Sequence, residues 1–182
     1  MVKIPLATDA ELTPELREVI DRLPPLNIFR VLANAPANLK PFVDWGLSLL
    51  FQTELDARDR EIAILRVAHV TRSKYEWHQH ATIARRVGVT EEQIAAVAVN
   101  GPVTSLGADG NLLCRVADEI SRDVRLSDDA LAAILQRYGK RQAVELILNV
   151  SHFNMVSRIL ESLRVEIETE NVLEKNPLPQ MR

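Results

Sequence analysis

The chain has 182 residues, 47% hydrophobic and 26% charged, which is the composition of a globular protein long enough for one sizeable core. The formal net charge of -3 gives no electrostatic basis for a nucleic-acid partner or an anionic membrane surface. The single cysteine, Cys114, excludes an intramolecular disulfide and a redox pair of cysteines. Because the first residues lack a signal-peptide core and no apolar run reaches the ~20 residues of a membrane span, we expect a soluble, cytoplasmic protein.

Hydrophobic residues recur with helical spacing along most of the chain, and no stretch sustains period-two alternation, so we predict an all-α fold. Residues 1–12 read as an extended arm, and 34–40 and 100–110 read as loops. The predicted helices, in chain order, cover about 13–23, 28–34, 41–52, 57–70, 73–87, 90–100, 112–125, 127–138 and 141–163. The polar tail from residue 169 is expected to be frayed or docked on a neighbouring subunit.

The ends of these helices carry recognisable capping residues, and no linker composition divides the chain. We therefore expect a single domain over 1–182. Within it, 1–55 is an N-terminal helical extension, 56–100 holds the central helices, 110–168 holds the C-terminal helices, and 169–182 is the tail. The capping residues are Thr13, Asp56, Thr90 with Gln93, and Ser127 at helix starts, and Gly88 and Gly139 after helix ends.

The helix predicted over 73–87 has two ionisable side chains on its apolar side. Glu76 and His80 are four residues apart and share a face with apolar residues at positions 83, 84 and 87. In the preceding helix, Glu61 shares a face with apolar residues at 65 and 68. A buried carboxylate costs several kcal/mol unless it has a partner or a raised pKa, so each of these groups requires one.

A glutamate beside a histidine in a dry pocket is a competent proton-transfer pair, and this is the functional interpretation of Glu61, Glu76 and His80. The alternative is structural: a Glu–His pair one turn apart can be a satisfied ion pair that pins two helices. The pattern alone does not decide between the two.

The other polar candidates are weaker. Arg66 follows an apolar run and has two interpretations, a contact for an anionic substrate or a structural salt bridge. Tyr75 is either a packing residue or a pocket hydroxyl. His78 and His80 point about 200° apart on a helix and cannot share a metal, and we expect no metal or cofactor. The remaining histidines, His69 and His152, are expected in the core or at an interface, where either could edge the same pocket.

The segment "REIAILRVAHVTRSKYEWHQHATIARRVGVTEEQI" resembles the core motif of the carboxymuconolactone decarboxylase family, with a glutamate before "ILR" and then Y-E-W-x-x-H. The resemblance covers about 57–97 closely, and 142–168 is similar to the closing helix of longer members. It implies an all-α fold, assembly as trimers or hexamers, and chemistry without a cofactor on a small lactone carboxylate. The extension of about 50 residues, absent from the small decarboxylases, leaves the substrate open.

A second branch of this family, similar to alkylhydroperoxidase D, carries C-x-x-C followed four residues later by histidine. Laid on this sequence, the cysteine positions fall on Ser73 and Glu76, the histidine on His80 and the relay glutamate on Glu61. Both thiols are therefore absent, and we do not expect thiol-peroxidase activity.

The sequence therefore predicts a homo-oligomeric, cofactor-independent lyase or isomerase acting on a small organic molecule. The expected catalytic residues are His80, Glu76 and Glu61: His80 is the general acid or base, Glu76 orients it or shares its proton, and Glu61 completes the proton relay. The expected substrate-binding residues are Arg66, Tyr75 and Ser73. Two other classes stay open: a peroxidase-related protein without its thiols, and a non-catalytic oligomeric protein that binds a small molecule.

Overall fold

The computed structural model describes residues 2–176, and all of its regular structure within that range is helical. The all-α prediction is confirmed. By contacts the chain divides into two compact units, one of Met1–Gln52 with Ile159–Arg182 and one of Thr53–Arg158. The expected single domain stays a prediction. Of the predicted tail 169–182, residues 177–182 lie outside the described residues.

Within residues 2–176, the first unit contains a short 3-10 helix, Asp9–Glu11, four whole helices and the end of a fifth. Helices α1 (Pro14–Asp21) and α2 (Asn27–Leu32) both pack on α3 (Pro36–Phe51). The apolar faces of these helices supply its core. Near the end of the described chain, α9 (Val172–Lys175) buries Leu173, so this part of the predicted tail is ordered and helical.

The second unit is built around α4 (Ala57–Thr71), which contacts α5 (Lys74–Arg86), α6 (Glu91–Val97) and α7 (Gly107–Asp123). Every residue from Arg60 to Ala68 is buried, which is typical of a helix enclosed on all sides. Such a helix must satisfy any charge it carries from within the protein. In α4 those charges are Arg60, Glu61 and Arg66.

Local capping explains how α4 and α5 are placed as neighbours. The Asp56 carboxylate accepts the Arg58 and Asp59 N–H groups at 2.8 and 3.3 Å and starts α4. Arg72 ends it in the left-handed conformation with φ 59°, and the Ser73 N–H then donates to the Ala68 carbonyl at 2.9 Å. Only Arg72 and Ser73 separate the two helices, so the chain reverses sharply.

The last long helix, α8 (Asp128–Leu163), is two helical segments joined at Gly139, and from Ile159 it belongs to the first unit. Gly139 has φ 69° and ψ 176°, a conformation almost confined to glycine. This confirms the predicted break after residue 138 between one helix and the next.

Three boundary predictions were wrong. The expected loop 34–40 is helical from Pro36, because proline fits the first turn of a helix, where its missing N–H is not needed. The expected loop 100–110 becomes α7 at Gly107, and the Asn111 side chain accepts the Leu106 N–H at 3.0 Å at this start. The expected extended arm contains the 3-10 turn, closed by a capping box between Thr8 and Glu11.

Candidate functional site

The centre of the candidate site is a hydrogen bond between α4 and α5. The Nδ1 atom of His80 lies 2.7 Å from Oε2 of Glu61, whose side chain is 0% exposed. The sequence did not show whether these two residues are within reach, and the structure places them in direct contact. A buried carboxylate at this distance favours the proton on Nδ1, which fixes the orientation and the tautomer of the imidazole ring.

A third residue, Arg60, completes this pair and was missed by the sequence analysis. Its Nε donates to Oε1 of Glu61 at 3.1 Å, and the side chain is itself buried. The carboxylate thus accepts a hydrogen bond on each oxygen, one from a cation and one from the imidazole. The sequence contains a signal for this contact. A buried glutamate needs a cation beside it, and Arg60 is the adjacent residue.

The other ring nitrogen of His80, Nε2, makes no hydrogen bond within residues 2–176. The imidazole is held by Glu61 on one side and by the ring of Phe153, which stands at 80° to it with centroids 4.6 Å apart. An imidazole fixed at Nδ1 and by an aromatic contact can exchange a proton through Nε2. The arrangement is therefore suited to general acid–base chemistry.

Helix α8 brings two further polar groups beside Phe153. The His152 ring stands edge-on to Phe153 at 5.1 Å, and burial, together with the charge of His80, lowers the pKa of His152 to about 4. One turn earlier, Asn149 is 1% exposed, and neither its Nδ2 nor its Oδ1 has a hydrogen-bond partner in the described part of the chain. A buried amide in this state is costly, and a substrate or water at this position would satisfy it.

The other site residues predicted for this segment are Tyr75 and Glu76, in the first turn of α5, and Ser73, just before it. Glu76 is buried one turn before His80, yet the contact that orients Nδ1 comes from Glu61, not from Glu76 as we expected. Tyr75 is also buried. Ser73 is the N-cap residue of α5, seven residues and about 10 Å of helix from His80.

The Arg66 side chain is fully buried, and all five of its N–H donors have acceptors. Nε and Nη2 hold the two oxygens of Asp118 at 2.8 Å each, and the other three donors go to the carbonyls of Val97, Val99 and Gly101. Of the two interpretations that the sequence allowed for Arg66, these contacts correspond to the structural salt bridge. Arg66 therefore has no N–H donor left for a substrate.

Two other candidates lie away from the pair. His69 sits near the opposite end of α4 from Glu61, where burial and then the charge of Arg66 lower its pKa. Cys114 is fully buried in α7, and burial raises the pKa of its thiol to about 12.

Within residues 2–176, no group of three or more histidine, cysteine or carboxylate side chains is placed to hold a metal ion. No helix in the same range is long and apolar enough to cross a membrane.

Comparison with known proteins places these observations in context. The sequence matches the carboxymuconolactone decarboxylase family over residues 36–119. A search of curated proteins gives no significant match. The matched range includes Arg60, Glu61 and His80 but not α8, which carries Asn149, His152 and Phe153.

Three solved structures, each 17% identical to this chain, have a similar fold. One is described as an alkylhydroperoxidase AhpD core and an uncharacterized peroxidase-related protein from Ralstonia eutropha JMP134, with a TM-score of 0.77 over 94% of each chain. Another is an uncharacterized peroxidase-related protein from Silicibacter sp. TM1040, with a TM-score of 0.73 over 93% of this chain and 95% of that one. A protein of unknown function from Agrobacterium tumefaciens gives 0.67 over 76% and 96%. At this identity the likeness establishes the fold.

Proposed function

We propose that this chain, whose residues 36–119 match the carboxymuconolactone decarboxylase family, is a cofactor-independent lyase for small carboxylated or lactone-type molecules. The observation that carries the proposal is the buried 2.7 Å contact between Glu61 and His80 Nδ1, which leaves Nε2 as the ring atom for the reaction. A purely structural ion pair does not need the buried amide of Asn149, which has no hydrogen-bond partner among residues 2–176, on the helix that brings Phe153 to the His80 ring.

The proposed reaction is a decarboxylation with proton transfer by His80. The C–C bond to the substrate carboxylate breaks, carbon dioxide leaves, and the electron pair passes into an enolate. The imidazolium of His80 then gives its Nε2 proton to the carbanionic carbon, and it regains a proton from water. General acid catalysis by a positioned group of this kind contributes about 10²–10⁴ in rate.

The role proposed for Glu61 is to hold the imidazole and to stabilise its charged form. Arg60 binds one oxygen of this carboxylate while the other oxygen accepts the Nδ1 proton of His80. Glu76, buried one turn before His80, is proposed as a second carboxylate that favours the imidazolium. In this scheme Glu61 is a positioning residue and His80 is the catalytic residue.

Substrate contacts are proposed from α8 and α5. The Asn149 amide offers one donor and one acceptor beside the ring of Phe153, which suits a lactone carbonyl or a carboxylate. Tyr75 remains a proposed contact because it is buried on the same helix as His80. The N-cap Ser73 lies about 10 Å along α5 from His80 and lines a different cleft.

A peroxidase-related chain without its thiols is the second candidate, favoured by the description of two of the structural neighbours. A thiol mechanism in this chain would have only Cys114 available. That thiol is fully buried and its pKa is about 12, so almost none of it is thiolate at neutral pH. We therefore rank proton-transfer chemistry above peroxide reduction.

The proposal includes a homo-oligomer in the cytoplasm. Its support is a row of exposed apolar side chains on the second segment of α8, Val144, Leu148 and Met155, at helical spacing. A second copy of the chain would cover this row. Light scattering on the purified protein tests it, and a monomer at micromolar concentration would remove this part of the proposal.

The test of the proposed activity is a turnover screen of small lactone carboxylates and related unsaturated acids, with release of carbon dioxide as the readout. His80→Gln should reduce kcat at least 100-fold. The matched control is His78→Gln, two residues away on the same helix and on a different face. If a substrate binds and stabilises the protein but no product forms, the chain is a binding protein and the lyase proposal fails. Equal kcat in both variants would also exclude His80 as the catalytic residue.

A further inference from the structure

A cleft lies at the junction of α4 and α5, and neither Glu61 nor His80 lines it. The cleft has a volume of about 360 Å³, within the size range of small-molecule sites. Its walls come from the end of α4, the start of α5 and the residues after α6. The lining residues are Ala68, His69, Arg72, Ser73, Lys74, Trp77, Ala98 and Asn100.

The charge of this cleft is of one sign. Arg72 and Lys74 are both exposed, and neither has an ion pair or a hydrogen bond to its side chain within residues 2–176. No aspartate or glutamate lines the cleft in the part of the chain that the structure describes. Glu76, in the first turn of α5, does not line the cleft. Two cations without partners at one opening favour a negatively charged ligand.

The polar group at the base of the cleft is the hydroxyl of Ser73. This residue is 1% exposed, and its Oγ has no hydrogen-bond partner within residues 2–176, although it stands at the N-cap position of a 13-residue helix. An N-cap serine ordinarily accepts a hydrogen bond from the first turn of its helix, and here it does not. A buried hydroxyl without a partner is unfavourable unless something else binds it. An anion at this position would accept its proton and would lie at the positive end of α5.

The wall beside these groups is aromatic. The rings of His69 and Trp77 lie 6.4 Å apart at an angle of 62°, and the Asn100 side chain hydrogen-bonds His69. A flat or apolar group attached to the anion would pack against this wall. The cleft thus combines a charged end and an apolar end in one volume.

We propose that this cleft binds the carboxylate or phosphate group of a small organic anion, held by Ser73, Arg72 and Lys74 with its apolar part against Trp77. Neither Glu61 nor His80 lines this cleft, and Ser73 is about 10 Å along α5 from His80, so the site is separate from the proposed reaction. Its test therefore does not depend on finding a substrate for the lyase.

The experiment uses tryptophan fluorescence. The chain has two tryptophans, so Trp45→Phe leaves Trp77 in the cleft as the sole emitter. This variant is titrated with phenyl phosphate, benzoate, inorganic phosphate and acetate at constant ionic strength. We expect a saturable change, strongest for an aryl anion, and the comparison of phenyl phosphate with benzoate identifies the preferred oxyanion.

Two pairs of variants make the test specific. Arg72→Gln with Lys74→Gln should raise Kd about tenfold or more, since two charge-assisted contacts are lost. Arg125→Gln with Lys140→Gln removes two other exposed cations and should change Kd less than about twofold. If no probe saturates, or if both double variants weaken binding equally, the proposed site does not exist.

Ser73→Ala separates binding from stability. Because the hydroxyl has no hydrogen-bond partner among the described residues, its loss should leave thermal stability unchanged or raised. The same change should raise Kd about threefold to tenfold, as the loss of one hydrogen bond does. Lower stability with unaltered Kd would instead give Ser73 a structural role and overturn its part in the site.

Discussion

Removal of the Glu61 charge should destabilise the protein strongly. The carboxylate is 0% exposed, and it binds the Nε of Arg60 at 3.1 Å and the Nδ1 of His80 at 2.7 Å. Glu61→Gln keeps the shape and can still hydrogen-bond His80, but it leaves the buried guanidinium of Arg60 without its anion. Breaking one side of a buried ion pair costs about 3–5 kcal/mol, and we expect this loss in the free energy of unfolding.

A double variant tests whether the missing charge is the cause. Arg60→Met with Glu61→Gln removes both charges, and a buried pair replaced as a whole is often close to neutral in stability. The double variant should therefore recover at least half of the loss, which means that the two substitutions are strongly coupled. Glu161→Gln, at an exposed position, is the matched control and should change stability by less than about 0.5 kcal/mol.

The assay is urea unfolding of the full chain at pH 7, followed by circular dichroism. Unchanged m-values would show that the midpoints report stability. The reasoning is refuted if Glu61→Gln costs less than about 1 kcal/mol. It is also refuted if the double variant costs the sum of the two single variants, because the residues would then act independently.

Three further predictions concern stability. The pKa of His152 is about 4 when folded against an ordinary 6.5, so the unfolded chain takes up this proton first and stability falls as pH drops from about 6.5 toward 4. Between pH 7 and pH 5 wild type should lose about 2 kcal/mol more than His152→Gln, and equal losses in urea unfolding would contradict the burial of a neutral imidazole. Arg66→Lys cannot keep five donors on Asp118 and three carbonyls, so a loss of about 3 kcal/mol in urea unfolding is expected, and a near-neutral result would oppose the structural role. Gly139→Ala forces a side chain into φ 69° and ψ 176° and should lower the free energy of unfolding by about 1–3 kcal/mol, whereas a stabilised variant would show that the break in α8 is relaxed.

The helices α4 and α5 were predictable from sequence because their signals are local. Asp56 caps one helix, and the face that carries Glu76 and His80 follows from the 3.6-residue period. The start of α7 was not predictable, because glycines at 107 and 110 disfavour a helix that tertiary contacts nonetheless stabilise.

The candidate site was predictable only in part. Period and burial identified Glu61 and His80, but the 2.7 Å contact depends on how two helices pack, which no local pattern encodes. Phe153 and Asn149 approach from α8, some 70 residues beyond His80, and nothing in their own segment marks them. Arg66 was ambiguous for the same reason, since its acceptors include carbonyls that only the folded chain brings together.

The most direct test of the central claim needs no substrate. Histidine tautomers can be read from long-range ¹⁵N–¹H NMR spectra at pH 8, with the His80 signals assigned by their loss in His80→Gln. We predict that neutral His80 carries its proton on Nδ1, donated to Glu61, with Nε2 unprotonated, and that Glu61→Gln changes this pattern. A His80 protonated on Nε2, or a pattern unaffected by Glu61→Gln, would contradict the account of the site.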